Sequence, residues 1–314
     1  MRAVAIGADG AISVSERPDP VPGVGEVLVR VRAAGMNWGD LGQQQGIYPA
    51  PPGWPADIPG LEIAGEVQGI GPNVYRFSVG DAVMAVVGSG GQAELSVVHE
   101  SLLMPRPATL SWEEGGGFSE AFVTAHDALM TQGRLRPGER VLITGAAGGV
   151  GVAAVQIAAV SGAEVIASVR HEDNRDNVLS LGANRVIDPA EAEANGPYDV
   201  VIELIGAPNM EANLRALRVG GRIVVIGAAG GTQAQLDLGL LGGKRAVVRG
   251  STLRARSLAE KAIATRAVEH EVLPFVSRGE IRVPIAAVYP LEDARTAYET
   301  FTRSGRVGKQ VISL

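Results

Sequence analysis

The chain contains no cysteine. That excludes disulfides, thiolate zinc sites, iron–sulfur clusters and a cysteine nucleophile. Its four histidines, His99, His126, His171 and His270, are scattered and show no ligand spacing such as HExxH. A protein-held metal is therefore not expected. Aromatic residues make up only 4%, so a core has to be built from Val, Ile, Leu and Ala. The net charge is −6 and no basic stripe appears, which disfavours non-specific nucleic-acid binding. No apolar run approaches the ~18 residues of a membrane helix. The sequence opens as a strand, MRAVAIG, rather than as a signal peptide, so the expectation is a cytoplasmic protein away from membranes.

What is present is a chain of 314 residues, long enough that two domains are the prior. Its forty-two glycines gather in loops between apolar runs. Up to Phe118 the chain reads as short strands between Gly/Pro turns. EVLVRVRAAG alternates as a half-buried strand does, and LEIAGEVQGIG and DAVMAVVG follow. Turns fall at Gly71-Pro72-Asn73 and Gly80-Asp81. This part is expected to be a β-rich, barrel-like domain.

From about Glu120 the texture changes. VLITG, EVIASV, RVID, DVVIEL and RIVVIG are short apolar runs, with AVVRGSTL as a sixth. Between them VGVAAVQIAAVSG, EDNRDNVLSLG and NMEANLRALRVG read as helices. Alternation of this kind predicts parallel βαβ units. Gly162, Gly182 and Gly220 fall where helices need left-handed caps. A long helix, SLAEKAIATRAVEHEVLPFVSRG, then a second helix and a final strand complete the chain. This tail is expected to return to the first domain. Residues 1–119 and 256–314 would form one domain, with 120–255 inserted as the other.

VLITGAAGGVGVAAVQIAA is strand, glycine turn and helix. Gly145, Gly148, Gly149 and Gly151 depart from strict GxGxxG, yet the physics is the same. Glycines permit a tight turn and let a phosphate approach bare backbone N–H groups, and the helix N-terminus adds about half a positive charge. The alternative is a glycine-rich turn without a ligand. The loop also fits the TGxxxGxG of short-chain dehydrogenases, but no tyrosine here has a lysine four residues later, so that class is rejected.

An NAD site ends its second strand on Asp or Glu, against the ribose hydroxyls. Here the strand ends ASVRHEDNR. Ser168 and Arg170 stand at its tip and Arg175 a turn further on. Arginines bind a 2′-phosphate through forked, charge-assisted bonds of roughly 1.5–3 kcal/mol each, so the expected cofactor is NADPH. The competing reading is that they solvate a helix start beside Glu172 and Asp173.

GMNWGDLGQQQGIYPAPP, PGLEIAGEV, GPNVYRFSVGDAVMAV, GGQAELSVV, EAFVTAHDAL, GAAGGVG and GRVGKQV occur in that order. With these motifs the whole chain resembles the medium-chain dehydrogenase/reductase superfamily. Within it, the chain is similar to the zinc-independent quinone oxidoreductases, the zeta-crystallin-like group. QQQGIYPAPPG and GSTLRARS point to its stress-inducible NADPH:quinone oxidoreductase branch. The resemblance implies an α/β fold, a six-stranded doubly wound parallel Rossmann sheet inserted into a β-rich GroES-like barrel domain. Zinc alcohol dehydrogenases of the superfamily place Cys, His and Cys around a catalytic zinc. By motif, this chain has Asn37, Leu61 and Glu120 there, and Asn and Leu cannot replace thiolate and imidazole. The structural zinc lobe is missing as well, since VVGSGGQAELSVV runs through its place.

The resemblance also implies roles. Thr124 would bond the nicotinamide side, and Gly148, Gly149 and Val150 would face the pyrophosphate. Ile205 and Gly206 would line adenosine and ribose, Gly227 and Leu253 would flank the nicotinamide half, and Lys309 would reach cofactor phosphate or ribose. Asn37 and Tyr48 would line the acceptor side as the candidate catalytic pair. The family often carries a Lys after the second strand and a Tyr after the third. This chain has Asn174 and IDPAE there, leaving Arg170 and Arg175 to compensate.

Several other residues are read as structure. Asp40 is expected to cap a helix, and Glu62, Glu120 and His126 to support the fold. Trp38 and Trp54 would wall the pocket or pack its rim. The function expected is NADPH-dependent reduction of quinones by a homodimer joined at the sixth strand's open edge. The alternatives are reduction of enals and enones, or a non-catalytic nucleotide-binding or RNA-binding role of zeta-crystallin type.

Overall fold

The computed structural model describes residues 1–303 and 305–314. The chain divides into two compact units: Met1–Glu120 with Arg254–Ser304 and Lys309–Leu314, and Ala121–Leu253 with Gly305–Gly308.

The first unit opens with an antiparallel hairpin of β1 (Arg2–Ile6) and β2 (Ile12–Glu16). β3 (Glu26–Gly35) buries alternate residues, Val27, Val29, Val31 and Ala33, as its sequence pattern requires. α1 (Trp38–Gln44) follows it directly. β4 (Glu62–Ile70), β5 (Ala82–Val86), β6 (Leu95–His99) and β7 (Leu103–Pro105) extend the sheet, with β3 paired to both β4 and β6. α2 (Trp112–Gly116) starts from a capping box in which Ser111 and Glu114 satisfy each other's backbone N–H. α3 (Ser119–His126) carries the chain into the second unit.

That unit is built on six strands, interleaved with helices. β8 (Arg140–Ile143), α4 (Gly149–Val160), β9 (Glu164–Ser168), α5 (Arg175–Leu179) and β10 (Arg185–Ile187) form one half. β11 (Tyr198–Glu203), α6 (Met210–Ala216), β12 (Leu217–Val225), α7 (Leu238–Gly243) and β13 (Val247–Gly250) form the other. The order is β10-β9-β8-β11-β12-β13, with every pair parallel. The strand order reverses between β8 and β11, where a doubly wound sheet opens a crevice at its carboxyl edge. Leu142, Ile166, Val201 and Ile223 sit in the core on one face of this sheet.

The chain then returns to the first unit as α8 (Leu258–Glu271), α9 (Leu273–Ser277), β14 (Ile285–Pro290), α10 (Ala294–Phe301) and β15 (Lys309–Ser313). β15 pairs antiparallel with β3, Val311 opposite Gly35, and parallel with β14.

Three local expectations change. The single long helix after Ser257 is two, because Pro274 lacks the N–H that a continuing helix needs and α9 takes it in its first turn. The segment after β9 is a 3₁₀ turn, Glu172–Asn174, followed by the short α5. Gly220 has φ +82° but lies within β12 rather than past a helix end.

Candidate active site

In the second unit, β8 runs into the glycine turn and α4. Gly145 has φ +59°. A Cβ on Gly151 would meet Gly145 O at 2.5 Å, so only glycine lets the helix start this close to the turn. Gly148 is the N-cap and brings no side chain, and it is exposed, with Gly149 and Val150 partly exposed behind it. The first turn of α4 thus presents bare backbone to whatever binds there.

The loop after β11 is held by a carboxylate that sequence reasoning missed. Glu203 is fully buried and accepts the N–H groups of Ile205 and Gly206, each at 2.7 Å. Thr144 Oγ1 donates to it at 3.0 Å and Asn213 Nδ2 at 2.6 Å. Thr144 also accepts Leu204 N–H at 2.8 Å. One buried charge therefore joins the end of β8 to the loop after β11, across the reversal in strand order. The available signal was a lone acid ending the apolar run DVVIEL.

A cavity of about 310 Å³ opens at these strand ends, with Thr144, Ser168, Pro189, Glu193, Asn209 and Asn213 among its lining. Asn213 Oδ1 is buried with no hydrogen-bond partner among the described residues. β9 ends on Ser168 with no acid at its tip; Arg170 is exposed just beyond, and Arg175 lies 3.9 Å from Asp188. Gly227 follows β12, its N–H on Glu203 O at 3.2 Å. Leu253 is buried beyond β13, and Thr124 is half-buried on α3. The glycine turn, Ser168, Ile205, Gly206 and Gly227 thus gather at the carboxyl ends of four parallel strands. The bare helix start, the cavity and the unpaired Asn213 oxygen fit a dinucleotide.

The first unit holds a second polar cluster. Asn37 precedes α1, and Asp40 caps that helix: its Oδ2 accepts Asn37 N–H at 2.7 Å and its Oδ1 accepts Gly60 N–H at 2.9 Å. Lys309, the first residue of β15, is buried. Its Nζ donates to Met36 O at 2.8 Å and to Asn37 Oδ1 at 2.6 Å, and lies 2.6 Å from Glu62 Oε1. Asn37 Nδ2 donates to the same Glu62 oxygen at 3.0 Å, and Glu120 N–H donates to the other at 2.8 Å. Lys309 thus meets three acceptors inside this unit. Burial pushes the Asp40 carboxyl up to about 7. Burial, with repulsion from Glu62, pushes the Glu120 carboxyl up to about 8.

Tyr48 is half-buried against α1, where a Cβ on Gly42 would come within 2.8 Å of its own Cβ. Arg254 fixes it from the other direction. Its Nη1 donates to Tyr48 O at 2.6 Å, its Nε to Gly88 O at 2.8 Å and its Nη2 to Gln43 Oε1. The guanidinium carbon stands 4.8 Å from the Tyr48 ring centre, within cation–π range. Trp38 is exposed and meets Phe301 edge-on at 5.5 Å, and Trp54 packs on the sheet core. His126 is a buried residue of α3.

Comparison with known proteins follows the same division. A family model described as alcohol dehydrogenase GroES-like domain matches residues 23–134, and one described as zinc-binding dehydrogenase matches residues 149–268. A GroES-like unit and a doubly wound parallel sheet in one chain define a medium-chain dehydrogenase/reductase. The quinone oxidoreductase of Mus musculus is 30% identical, covering 94% of this chain and 91% of its own. The acryloyl-coenzyme A reductase of Metallosphaera sedula is 30% identical over all of both chains. A mycobacterial protein solved in complex with NADPH superposes with a TM-score of 0.89 at 26% identity, covering both chains in full. The chain belongs to the quinone oxidoreductase family of this superfamily, and is an oxidoreductase that uses a nicotinamide dinucleotide and a small-molecule substrate.

The zinc in the second family's description does not fit this chain. No thiolate is available, and the Lys309 ammonium already sits between Asn37 and Glu62 as their cation. Among the described residues no group of three His, Asp or Glu is placed to hold a metal ion. Likewise, no helix among them is long and apolar enough to cross a membrane.

Proposed function

We propose that this protein is a zinc-independent, NADPH-dependent reductase of quinones. The observation that carries this reading is identity of 30% with a quinone oxidoreductase over nearly the whole length of both chains. The preference for NADPH rests on β9: the strand ends on Ser168, and the charged side chains beyond it begin with Arg170, with Arg175 following. Gly148, Gly149 and Val150 hold the pyrophosphate against the start of α4. Ile205 and Gly206, fixed by Glu203, line the adenosine and ribose. Thr124, Gly227 and Leu253 hold the nicotinamide half. When bound, the cofactor supplies the hydride.

The acceptor side belongs to Asn37 and Tyr48. Asn37 is locked by Lys309 and Glu62, and Tyr48 by Arg254, so both offer polar groups of fixed position, which contribute proximity and orientation. Solvent supplies the proton that completes the hydroquinone. Twofold symmetry through β13, the edge of the parallel sheet, makes the protein a homodimer.

A second reading, reduction of an activated C=C bond, is favoured by the similarity to an acryloyl-coenzyme A reductase. A panel of quinones and enones, run with NADPH and NADH, tests both. NADPH is expected to exceed NADH in kcat/KM by about a hundredfold, given two arginine–phosphate contacts. Equal use of NADH removes the cofactor assignment. Turnover of enones alone moves the function to the second reading, and no turnover despite NADPH binding leaves a non-catalytic protein.

A further inference from the structure

Asn213 lies on α6 and is 1% exposed. Its Nδ2 donates to Glu203 Oε2 at 2.6 Å, while its Oδ1 has no hydrogen-bond partner among the described residues. Chemistry fixes which branch of the amide is which. Glu203 also receives donors from Thr144, Ile205, Gly206 and Asn209, so it stands as an acceptor and has to meet the N–H branch. The remaining branch is therefore an oxygen, and only a donor can satisfy it. Buried polar groups in folded proteins almost always have a partner, so this oxygen points to a ligand.

Asn213 also lines the cavity of about 310 Å³ at the strand ends. Pro189, Ala190, Pro208 and Ala212 give that cavity small apolar surface, and Glu193 adds another acceptor. No lysine, arginine or histidine is among the described residues that line it. Such a lining does not suit a phosphate. It suits a flat, neutral ring that carries an N–H donor, and small-molecule sites begin at roughly this size, 300 Å³.

We propose that the cavity receives the cofactor's base and that Asn213 makes it selective for adenine, its Oδ1 accepting a hydrogen of the 6-amino group. The inference rests on use of a nicotinamide dinucleotide and adds the residue that reads its base. Asparagine distinguishes adenine through the same amine where proteins contact DNA. Hypoxanthine carries an oxo group in place of that amine and would set one acceptor against another. Glu203 gives Asn213 its orientation, so the carboxylate that clasps the loop after β11 also aims the amide.

The test measures Kd for NADPH and for its hypoxanthine analogue by titration, following the fluorescence of the reduced nicotinamide. The wild type is expected to bind NADPH about 10- to 100-fold more tightly, the range of one buried acceptor left unsatisfied. Asn213→Leu, similar in volume and without the acceptor, should bring the two Kd values together. A merely structural role would weaken both cofactors alike and keep their ratio; that result overturns the proposal. Equal affinities in the wild type overturn it with the dinucleotide reading intact. Binding of neither cofactor removes that reading, and the proposal falls with it. NADH and its hypoxanthine analogue should give the same ratio, because it reports the base; a preference confined to the phosphorylated pair overturns the assignment. If Asn213→Leu does not fold, Asn213→Ala, a good helix former, takes its place, and the wild-type ratio decides in either case.

Discussion

At the scale of single residues, the acceptor-side cluster is decided by what balances Glu62. Its carboxylate is fully buried, and its cationic partner is Lys309. Asn37, Glu62 and Glu120 were legible as polar residues at marked motif positions, and Lys309 as part of GRVGKQV. Their meeting was not, because Lys309 and Asn37 lie 272 residues apart and no local pattern joins them. The ion pair gives a direct expectation. Lys309→Met leaves Glu62 buried without its cation, which should cost about 3–5 kcal/mol, the usual result of removing one partner of a buried pair. The double variant Lys309→Met/Glu62→Gln should recover much of this, since no charge is then stranded. Urea unfolding of the wild type, Lys309→Met, Glu62→Gln and the double variant measures it. Additive losses in the double variant would show that the two groups do not act on each other.

At the scale of elements, the parallel sheet was readable because five of its six strands are short apolar runs bounded by glycine or charge. The physical reason is that strands covered on both faces must be apolar throughout. Helix lengths were less readable. Apolar periodicity carries through Pro274 in sequence, while the backbone hydrogen bonds do not. The Glu203 clasp was invisible for a related reason: a single acid at a strand end says nothing of the five donors that the fold turns toward it. Glu203→Ala removes the acceptor of Ile205 and Gly206 N–H together. Each buried donor so stranded costs about 1–3 kcal/mol. The loop should loosen, so thermal stability should fall and the Kd for NADPH should rise at least tenfold, with acceptor KM little changed. An NADPH affinity equal to wild type would mean that the loop does not hold the cofactor.

At the scale of the molecule, the unanswered demand is the edge of the parallel sheet. Among the described residues β13 pairs with β12 on one side only, and its Val247 is 46% exposed. Such an edge offers unpaired N–H and C=O groups to another strand, and monomeric proteins commonly blunt theirs with lysine, proline or a covering segment. Here the strand is VVRG, with Arg249 its one charge. An antiparallel meeting of two copies about a twofold axis satisfies both edges at once and leaves none over, which closes the assembly at two chains. Sedimentation should therefore give twice the chain mass at micromolar concentration. Val247→Lys places a like charge from each copy at the seam and should shift the protein to monomer. The nucleotide turn follows β8, an interior strand three places from this edge, so NADPH binding should survive the change. A wild type that sediments as a monomer at every concentration, or a Val247→Lys variant that stays dimeric, would put the interface elsewhere.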